Sequence, residues 1–115
     1  MKRILIVEDD TTLLKLLVDV LSKQFQIYEA CKVKEALHNL EENTVDLICS
    51  DYNLPDGTVL ELLEQLCRNG KSIPFLLMSG IEDPFVVNCV KFYGGEFCSK
   101  TDPDLLATIK RLANT

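Results

Sequence analysis

Short apolar runs alternate along this chain with longer segments in which apolar residues recur every three or four positions. The runs carry almost no charge, as is typical of strands buried on both faces. The longer segments have the spacing of amphipathic helices. The predicted strands are 4–7, 26–29, 45–49, 74–78 and 96–98. The predicted helices are 11–23, 33–42 and 58–69, one from Pro84 to the glycines at 94 and 95, and one that begins at Asp102-Pro103.

A strand followed by a helix, repeated five times, predicts an α/β fold. Parallel strands need helical crossovers, so we expect a doubly wound, five-stranded parallel sheet with helices on both faces. The more polar run at 26–29 suits a position near an edge of that sheet. A chain of 115 residues has room for one domain, and we expect residues 1–115 to form it.

Charge and composition exclude several classes of function. The net charge of −6, from 12 basic and 18 acidic residues, argues against direct nucleic-acid binding, because phosphate contacts need a basic surface. No apolar run approaches the roughly 20 residues of a membrane helix. The apolar run near the start of the chain is too short to be the core of a signal peptide, so we expect a cytoplasmic protein. The five cysteines include no C-x-x-C pair, so no zinc site is predicted.

Polar residues that could do chemistry follow directly after the predicted strands. Glu8 and Asp9 follow the first strand, Asp51 follows the third, Ser79 the fourth and Lys100 the fifth. In open parallel sheets, ligands bind at the carboxyl ends of the strands. We therefore expect these five side chains to converge at one edge.

Three converging carboxylates would repel one another and raise at least one pKa. A hard divalent cation resolves the repulsion, and Mg²⁺ fits because it prefers carboxylate oxygens and also binds phosphate oxygens. A hydroxyl at Ser79 and an ammonium at Lys100 would face the metal. This combination is typical of phosphoryl transfer. By contrast, Asp10 is expected only to cap the first helix.

Four segments in order resemble the receiver domain of two-component response regulators. They are 4–10 (ILIVEDD), 51–57 (DYNLPDG), 77–80 (LMSG) and 95–100 (GEFCSK), and the likeness extends over essentially the whole chain. The resemblance implies a flavodoxin-like (βα)5 fold. It also implies a stand-alone regulator or the N-terminal receiver of a longer protein.

The resemblance further implies a role for each site residue. Asp51 would be the phospho-acceptor. Glu8, Asp9 and Asp51 would hold Mg²⁺ together with the backbone carbonyl of Asn53. Ser79 and Lys100 would bind the phosphoryl oxygens.

A switch and a set of partners are also implied by the family. Phe97 matches the switch aromatic, which would move with Ser79 and change the face formed by the fourth helix, fifth strand and fifth helix. The phosphoryl donor would be a histidine kinase or a histidine phosphotransfer protein. A downstream effector, a fused output domain or a second copy would bind the changed face.

Two departures from the family pattern keep other functions open. Thr101 stands where a proline in cis linkage is common, and Val59 stands where glycine is usual, so both local turns are expected to differ. The first alternative is a protein-interaction module on the same fold that is not phosphorylated. The second is a small Mg²⁺-dependent phosphatase.

Overall fold

Seven strands and five helices form in the computed structural model, which describes residues 1–115. The strands are β1 (Arg3–Val7), β2 (Gln26–Ala30), β3 (Leu47–Ser50), β4 (Asn53–Leu54), β5 (Gly57–Thr58), β6 (Phe75–Ser79) and β7 (Glu96–Ser99). The helices are α1 (Thr11–Leu21), α2 (Val33–Glu42), α3 (Val59–Arg68), α4 (Pro84–Tyr93) and α5 (Leu105–Ala113). None of the helices is long and apolar enough to span a lipid bilayer.

Five of the strands form one parallel sheet in the order β2-β1-β3-β6-β7. The central strands β3 and β6 are buried along their whole length, whereas the outer strands β2 and β7 carry exposed polar residues. This distribution explains the uncharged central runs of the sequence. The predicted doubly wound parallel fold is therefore confirmed.

Helices cover both faces of the sheet and create two separate cores. One core joins side chains of α2, α3 and α4 to the sheet, and the other joins side chains of α1 and α5 to the opposite face. Alternate residues of β1 serve the two cores, with Leu5 in the first and Ile4 and Ile6 in the second. Burial on both faces thus holds the central strands in one register.

Helix starts and stops follow local sequence signals at several predicted positions. The carboxylate of Asp10 accepts the amides of Thr12 and Leu13 at the start of α1, as expected. Asp83 caps α4 by accepting the amide of Phe85 at 2.9 Å. Gly94 ends α4 with a φ of +105°, a conformation that glycine adopts without steric cost.

Several predicted boundaries differ from the structure by one or two residues, among them the end of α1 at Leu21 instead of residue 23. The last helix begins at Leu105, because Asp102 accepts the amide of Asp104 at 2.8 Å and forms a turn instead of a helix cap. The strand predicted from residue 45 begins at Leu47. The loop after β3, predicted as irregular, contains the two-residue antiparallel strands β4 and β5.

A carboxylate from a distant loop caps α2. The residue before the helix, Lys32, has no side-chain capping bond. Instead, Asp56 accepts the amides of Val33 at 2.7 Å and Lys34 at 3.0 Å. The loop that follows β3 is thereby tied to the start of α2, whose unpaired amides and dipole favour a negative charge.

Replacing Asp56 with alanine is expected to lower the free energy of unfolding by about 1 kcal/mol, the usual cost of losing an N-cap. The measurement is urea denaturation at pH 7. Asp56→Asn is the matched control, since its amide oxygen still accepts one backbone bond, and a smaller loss is expected. Equal stability of Asp56→Ala and the parent chain would contradict the assignment.

The Asp56 cap should also make stability depend on pH. Burial alone would raise the pKa of Asp56, but the amides of Lys34 and Val33 outweigh it and lower the pKa below its ordinary value of 3.8. The carboxylate therefore stabilises the fold fully above about pH 4, and this contribution is lost as the pH falls through the lowered pKa. In Asp56→Ala the free energy of unfolding should therefore vary less with pH. Denaturation of both chains between pH 2 and 5 measures this difference.

Candidate functional site

The register of the parallel strands brings the first carboxylates together. Val7 of β1 pairs with Ser50 of β3, so the residues one step beyond, Glu8 and Asp51, leave the sheet side by side. The amide of Asp51 donates to the carbonyl of Val7 at 2.9 Å, and the amide of Glu8 donates to the carbonyl of Ala30 at 2.9 Å. Backbone hydrogen bonds therefore fix the positions of Glu8 and Asp51 independently of their side chains.

Glu8, Asp9 and Asp51 form an acidic cluster of very uneven exposure. Each offers a carboxylate oxygen, and these oxygens all lie within 4.8 Å of one another. Glu8 is completely buried, Asp51 is partly buried and Asp9 is exposed. The convergence expected for these three residues is thus what the structure shows.

The ammonium of Lys100 enters this cluster from the end of β7. Its Nζ lies 2.8 Å from Oε1 of Glu8 and 3.1 Å from Oδ2 of Asp51. The backbone holds Lys100 in place, because its amide donates to the carbonyl of Ser79 at 3.1 Å. One positive charge is therefore shared between two carboxylates at the end of the sheet.

Burial and pairing shift the titration of this cluster. Burial raises the pKa of Glu8, and the nearby Asp51 adds to the rise, while Lys100 opposes it. Burial alone would lower the pKa of Lys100, but its contacts with Glu8 and Asp51 outweigh burial and raise it. The expected rise of one carboxyl pKa therefore holds, with burial as a larger cause than repulsion, and Lys100 stays charged at neutral pH.

Backbone amides orient the remaining polar groups. The amide of Tyr52 donates to Oδ1 of Asp51 at 2.7 Å, so one carboxylate oxygen is held while the other faces Lys100. The amide of Ile81 donates to the hydroxyl oxygen of Ser79 at 3.2 Å. Ser79 is buried, and this bond fixes its Oγ at the end of β6.

An open cleft of about 410 Å³ gives access to Asp51. Its walls are Asp51, Tyr52, Asn53, Ser79, Gly80, Ile81, Asp83 and Lys100. Tyr52 and Asp83 were not singled out as site residues from the sequence, although both lie within five residues of a predicted strand end. The cleft thus unites the carboxylate, hydroxyl and ammonium groups that were predicted to converge.

The acidic cluster fits a hard divalent cation. Oε1 of Glu8 is buried and accepts no directed hydrogen bond, so its close contact with Lys100 is an ion pair without hydrogen-bond geometry. Carboxylate oxygens at this spacing are the ligands that Mg²⁺ prefers. Asn53, the exposed residue of β4, lines the adjoining cleft.

Phe97 lies away from the cleft, on the neighbouring side of the molecule. It is partly buried against the core beneath α4 and lines a groove of about 460 Å³ between α4 and β7. Lys91 and Glu96 lie in the same groove. Ser79 and Phe97 are carried by adjacent strands, since Ser79 pairs with Ser99 and Leu77 pairs with Phe97.

The departures at Thr101 and Val59 have local structural consequences. No peptide bond in the chain is cis, so Lys100 and Thr101 are joined in trans. The hydroxyls of Ser99 and Thr101 lie 3.0 Å apart in this loop. Val59 is fully buried as the first residue of α3, and its amide donates to the carbonyl of Tyr52 at 2.9 Å.

Comparison with known proteins identifies relatives of one kind. The family model "Response regulator receiver domain" matches residues 4–110. The chain is 34% identical over 93 residues to the two-component response regulator ARR10 of Arabidopsis thaliana, which covers 77% of this chain. It is 32% identical over 82 residues to the transcriptional regulatory protein CiaR of Streptococcus pneumoniae, which covers 71% of this chain.

Solved structures agree with the sequence relatives. The non-phosphorylated HemR receiver domain from Leptospira biflexa superposes with a TM-score of 0.92 at 28% identity, over 100% of this chain and 96% of that one. The curated relatives are much longer, and the chain spans only 17% of ARR10 and 37% of CiaR. The match over nearly its full length nevertheless establishes that this chain belongs to the family of response regulator receiver domains, the signalling domains of two-component systems.

Proposed function

We propose that Asp51 accepts a phosphoryl group and that its modification switches the surface around Phe97. The observation that carries this proposal is the meeting of the Glu8, Asp9 and Asp51 carboxylates, within 4.8 Å, with the ammonium of Lys100. A partly buried, oriented carboxylate beside fixed positive charge is suited to act as a nucleophile toward phosphorus. The donor would be a phosphohistidine of a histidine kinase or histidine phosphotransfer protein.

In the transfer, a carboxylate oxygen of Asp51 forms a bond to phosphorus while the bond between phosphorus and the histidine nitrogen breaks. The imidazole leaves with the electron pair. The Tyr52 amide holds the carboxylate, and Lys100 and the Ser79 hydroxyl bind the phosphoryl oxygens. Glu8, Asp9, Asp51 and the Asn53 carbonyl would hold Mg²⁺, which when bound supplies positive charge to the phosphoryl oxygens. Water later hydrolyses the acyl phosphate in the same cleft.

Ser79 and Phe97 would carry the signal to partners. Ser79 must turn its hydroxyl toward the phosphoryl group, and its Oγ now accepts the Ile81 amide. Movement on β6 reaches Phe97 through the adjacent β7. Phosphorylation would shift the population between two arrangements of the α4–β7–α5 face, formed by α4, β7 and α5. That face would bind an effector or fused output domain, or form a homodimer.

The proposal also concerns the chain as a whole. We propose that residues 1–115 work as one receiver unit in the cytoplasm and bind no nucleic acid directly. Its only catalysis would be its own phosphorylation and dephosphorylation. An output domain, if the protein has one elsewhere, would carry the response.

Incubation with acetyl phosphate tests the proposal. Intact mass spectrometry should find one added phosphoryl group in the presence of Mg²⁺ and none after chelation of the metal by EDTA. If acetyl phosphate fails, Mg²⁺-dependent binding of beryllofluoride is the second measurement. If both measurements fail, the alternative of an interaction module that is not phosphorylated is favoured. That alternative predicts equal affinity for a partner with and without beryllofluoride. Repeated turnover of a phosphate ester would instead favour the phosphatase.

A further inference from the structure

Two hydroxyl side chains flank Lys100 and contact each other. Oγ of Ser99 and Oγ1 of Thr101 lie 3.0 Å apart, so one hydroxyl donates to the other, and we name these two residues the hydroxyl pair. Oγ of Ser99 also accepts the amide of Thr101 at 3.3 Å. A serine hydroxyl that bonds to the backbone two residues later forms a local turn. The chain therefore turns at Lys100, the only lysine or arginine that lines the cleft.

The main chain on the other side of Lys100 is held by the sheet. Ser99 is the last residue of β7 and pairs with Ser79 at the end of β6. The amide of Lys100 donates to the carbonyl of Ser79 at 3.1 Å, and the carbonyl of Ser99 accepts the amide of Asp102 at 3.1 Å. The peptide unit before Lys100 is thus held by the sheet, and the peptide unit after it is held by the Ser99 hydroxyl.

We propose that the hydroxyl pair positions the ammonium of Lys100 for phosphoryl transfer. The proposal rests on the function proposed for Asp51. Neither member of the pair lines the cleft, so both act through Lys100. A lysine side chain has many rotamers, and a fixed backbone reduces the positions that its ammonium can reach. This matters because Nζ must stay near Oδ2 of Asp51, now 3.1 Å away, and misplacing a reacting group by about 1 Å slows a reaction severely.

The exposure of the pair sets the size of the effect. Thr101 is exposed, Ser99 is partly buried, and neither hydroxyl has a hydrogen-bond partner outside the turn. Water therefore competes for both groups, and their mutual bond should contribute about fivefold to an equilibrium, as one ordinary hydrogen bond does. An effect of this size is too small to unfold the chain, but it is measurable at Lys100.

Two substitutions of Thr101 separate the hydroxyl from the shape of the side chain. Thr101→Val keeps the branched shape and removes the hydroxyl, whereas Thr101→Ser keeps the hydroxyl and removes the methyl group. If the hydroxyl pair positions Lys100, Thr101→Val should be impaired and Thr101→Ser should resemble the parent chain. A role of the branched shape in the backbone turn predicts the reverse. Because Thr101 is exposed, both variants should keep the parent's circular dichroism spectrum.

NMR of the Lys100 ammonium in metal-free buffer tests the proposal without phosphorylation. The signal is assigned through the other resonances of the same residue. In Thr101→Val the ammonium protons should exchange with water about fivefold faster than in the parent chain, because the contacts with Glu8 and Asp51 open more often. Thr101→Ser should exchange at the parent's rate.

The rate of phosphoryl incorporation at saturating acetyl phosphate and Mg²⁺ is the second readout. Thr101→Val should react about fivefold more slowly than the parent chain. Ser99→Ala also leaves the Thr101 amide without its partner, so it should react more slowly still. Adding Thr101→Val to Ser99→Ala should cause no further loss, because both substitutions break the same bond.

Three results would overturn the proposal. They are parent-like exchange of the Lys100 ammonium in Thr101→Val, a parent-like rate of incorporation in that variant, and equal impairment of Thr101→Val and Thr101→Ser. If the parent chain itself takes up no phosphoryl group, the function proposed for Asp51 fails. The exchange measurement then still decides whether the hydroxyl pair holds Lys100, so the two failures are distinguishable.

Discussion

Asp51→Asn is expected to reduce phosphoryl incorporation from acetyl phosphate by at least roughly 10³-fold, to the background of the assay. The amide nitrogen and oxygen that replace the carboxylate are poor nucleophiles, while the size of the side chain hardly changes. The Glu8–Lys100 ion pair does not involve this residue, so the fold should persist. The measurement is intact mass after incubation with acetyl phosphate and Mg²⁺.

Asp10→Asn is the matched control for this loss. Asp10 is an acidic residue beside Glu8 and Asp9 in the loop after β1, but its carboxylate caps α1, and asparagine serves nearly as well as a cap. The control should therefore incorporate phosphoryl groups like the parent chain. If Asp51→Asn incorporated as much phosphoryl group as the parent chain, Asp51 would not be the acceptor. Peptide mapping would then identify the residue that is modified.

Lys100→Met is expected to have the largest effect on stability. It removes the positive charge that lies 2.8 Å from a completely buried carboxylate and leaves Glu8 without a partner of opposite charge. Loss of one member of a buried pair typically costs about 3 kcal/mol or more. Urea denaturation in metal-free buffer at pH 7 should show this loss. The variant should also fail to accept a phosphoryl group, because Lys100 is the cation at the cleft.

A second substitution separates these two effects. Glu8→Gln combined with Lys100→Met removes both charges, so most of the lost stability should return while phosphorylation stays absent. Arg111→Ala is the control for an ion pair at the surface, since Arg111 and Glu96 are both exposed. It should leave stability essentially unchanged. A fully stable Lys100→Met chain would show that the buried pair does not hold the site together.

The placement of the site residues was predictable because it depends on strand ends. The buried runs before Glu8, Asp51 and Ser79 are unambiguous in the sequence, and parallel pairing places their ends at one edge of the sheet. The role of Asp10 as a cap was predictable for a similar reason, since it depends on neighbours two and three positions away.

The features that were missed depend on distant or very short contacts. Asp56 caps a helix 23 positions earlier in the chain, and no local pattern indicates which helix a loop carboxylate will reach. Strands β4 and β5 have two residues each, too few for an alternating pattern. Asp102 followed by Pro103 is a typical helix start, yet Asp102 accepts the amide of Asp104 and the helix begins later.

The location of the cleft at the strand ends has a consequence for evolutionary drift. The positions of Glu8, Asp51 and Lys100 follow from main-chain bonds to Ala30, Val7 and Ser79, and these bonds do not depend on which apolar side chains fill the two cores. Cores accept apolar replacements of similar volume at small cost. Most of the molecule can therefore change by neutral substitution, while a few polar residues at one edge keep their relative positions.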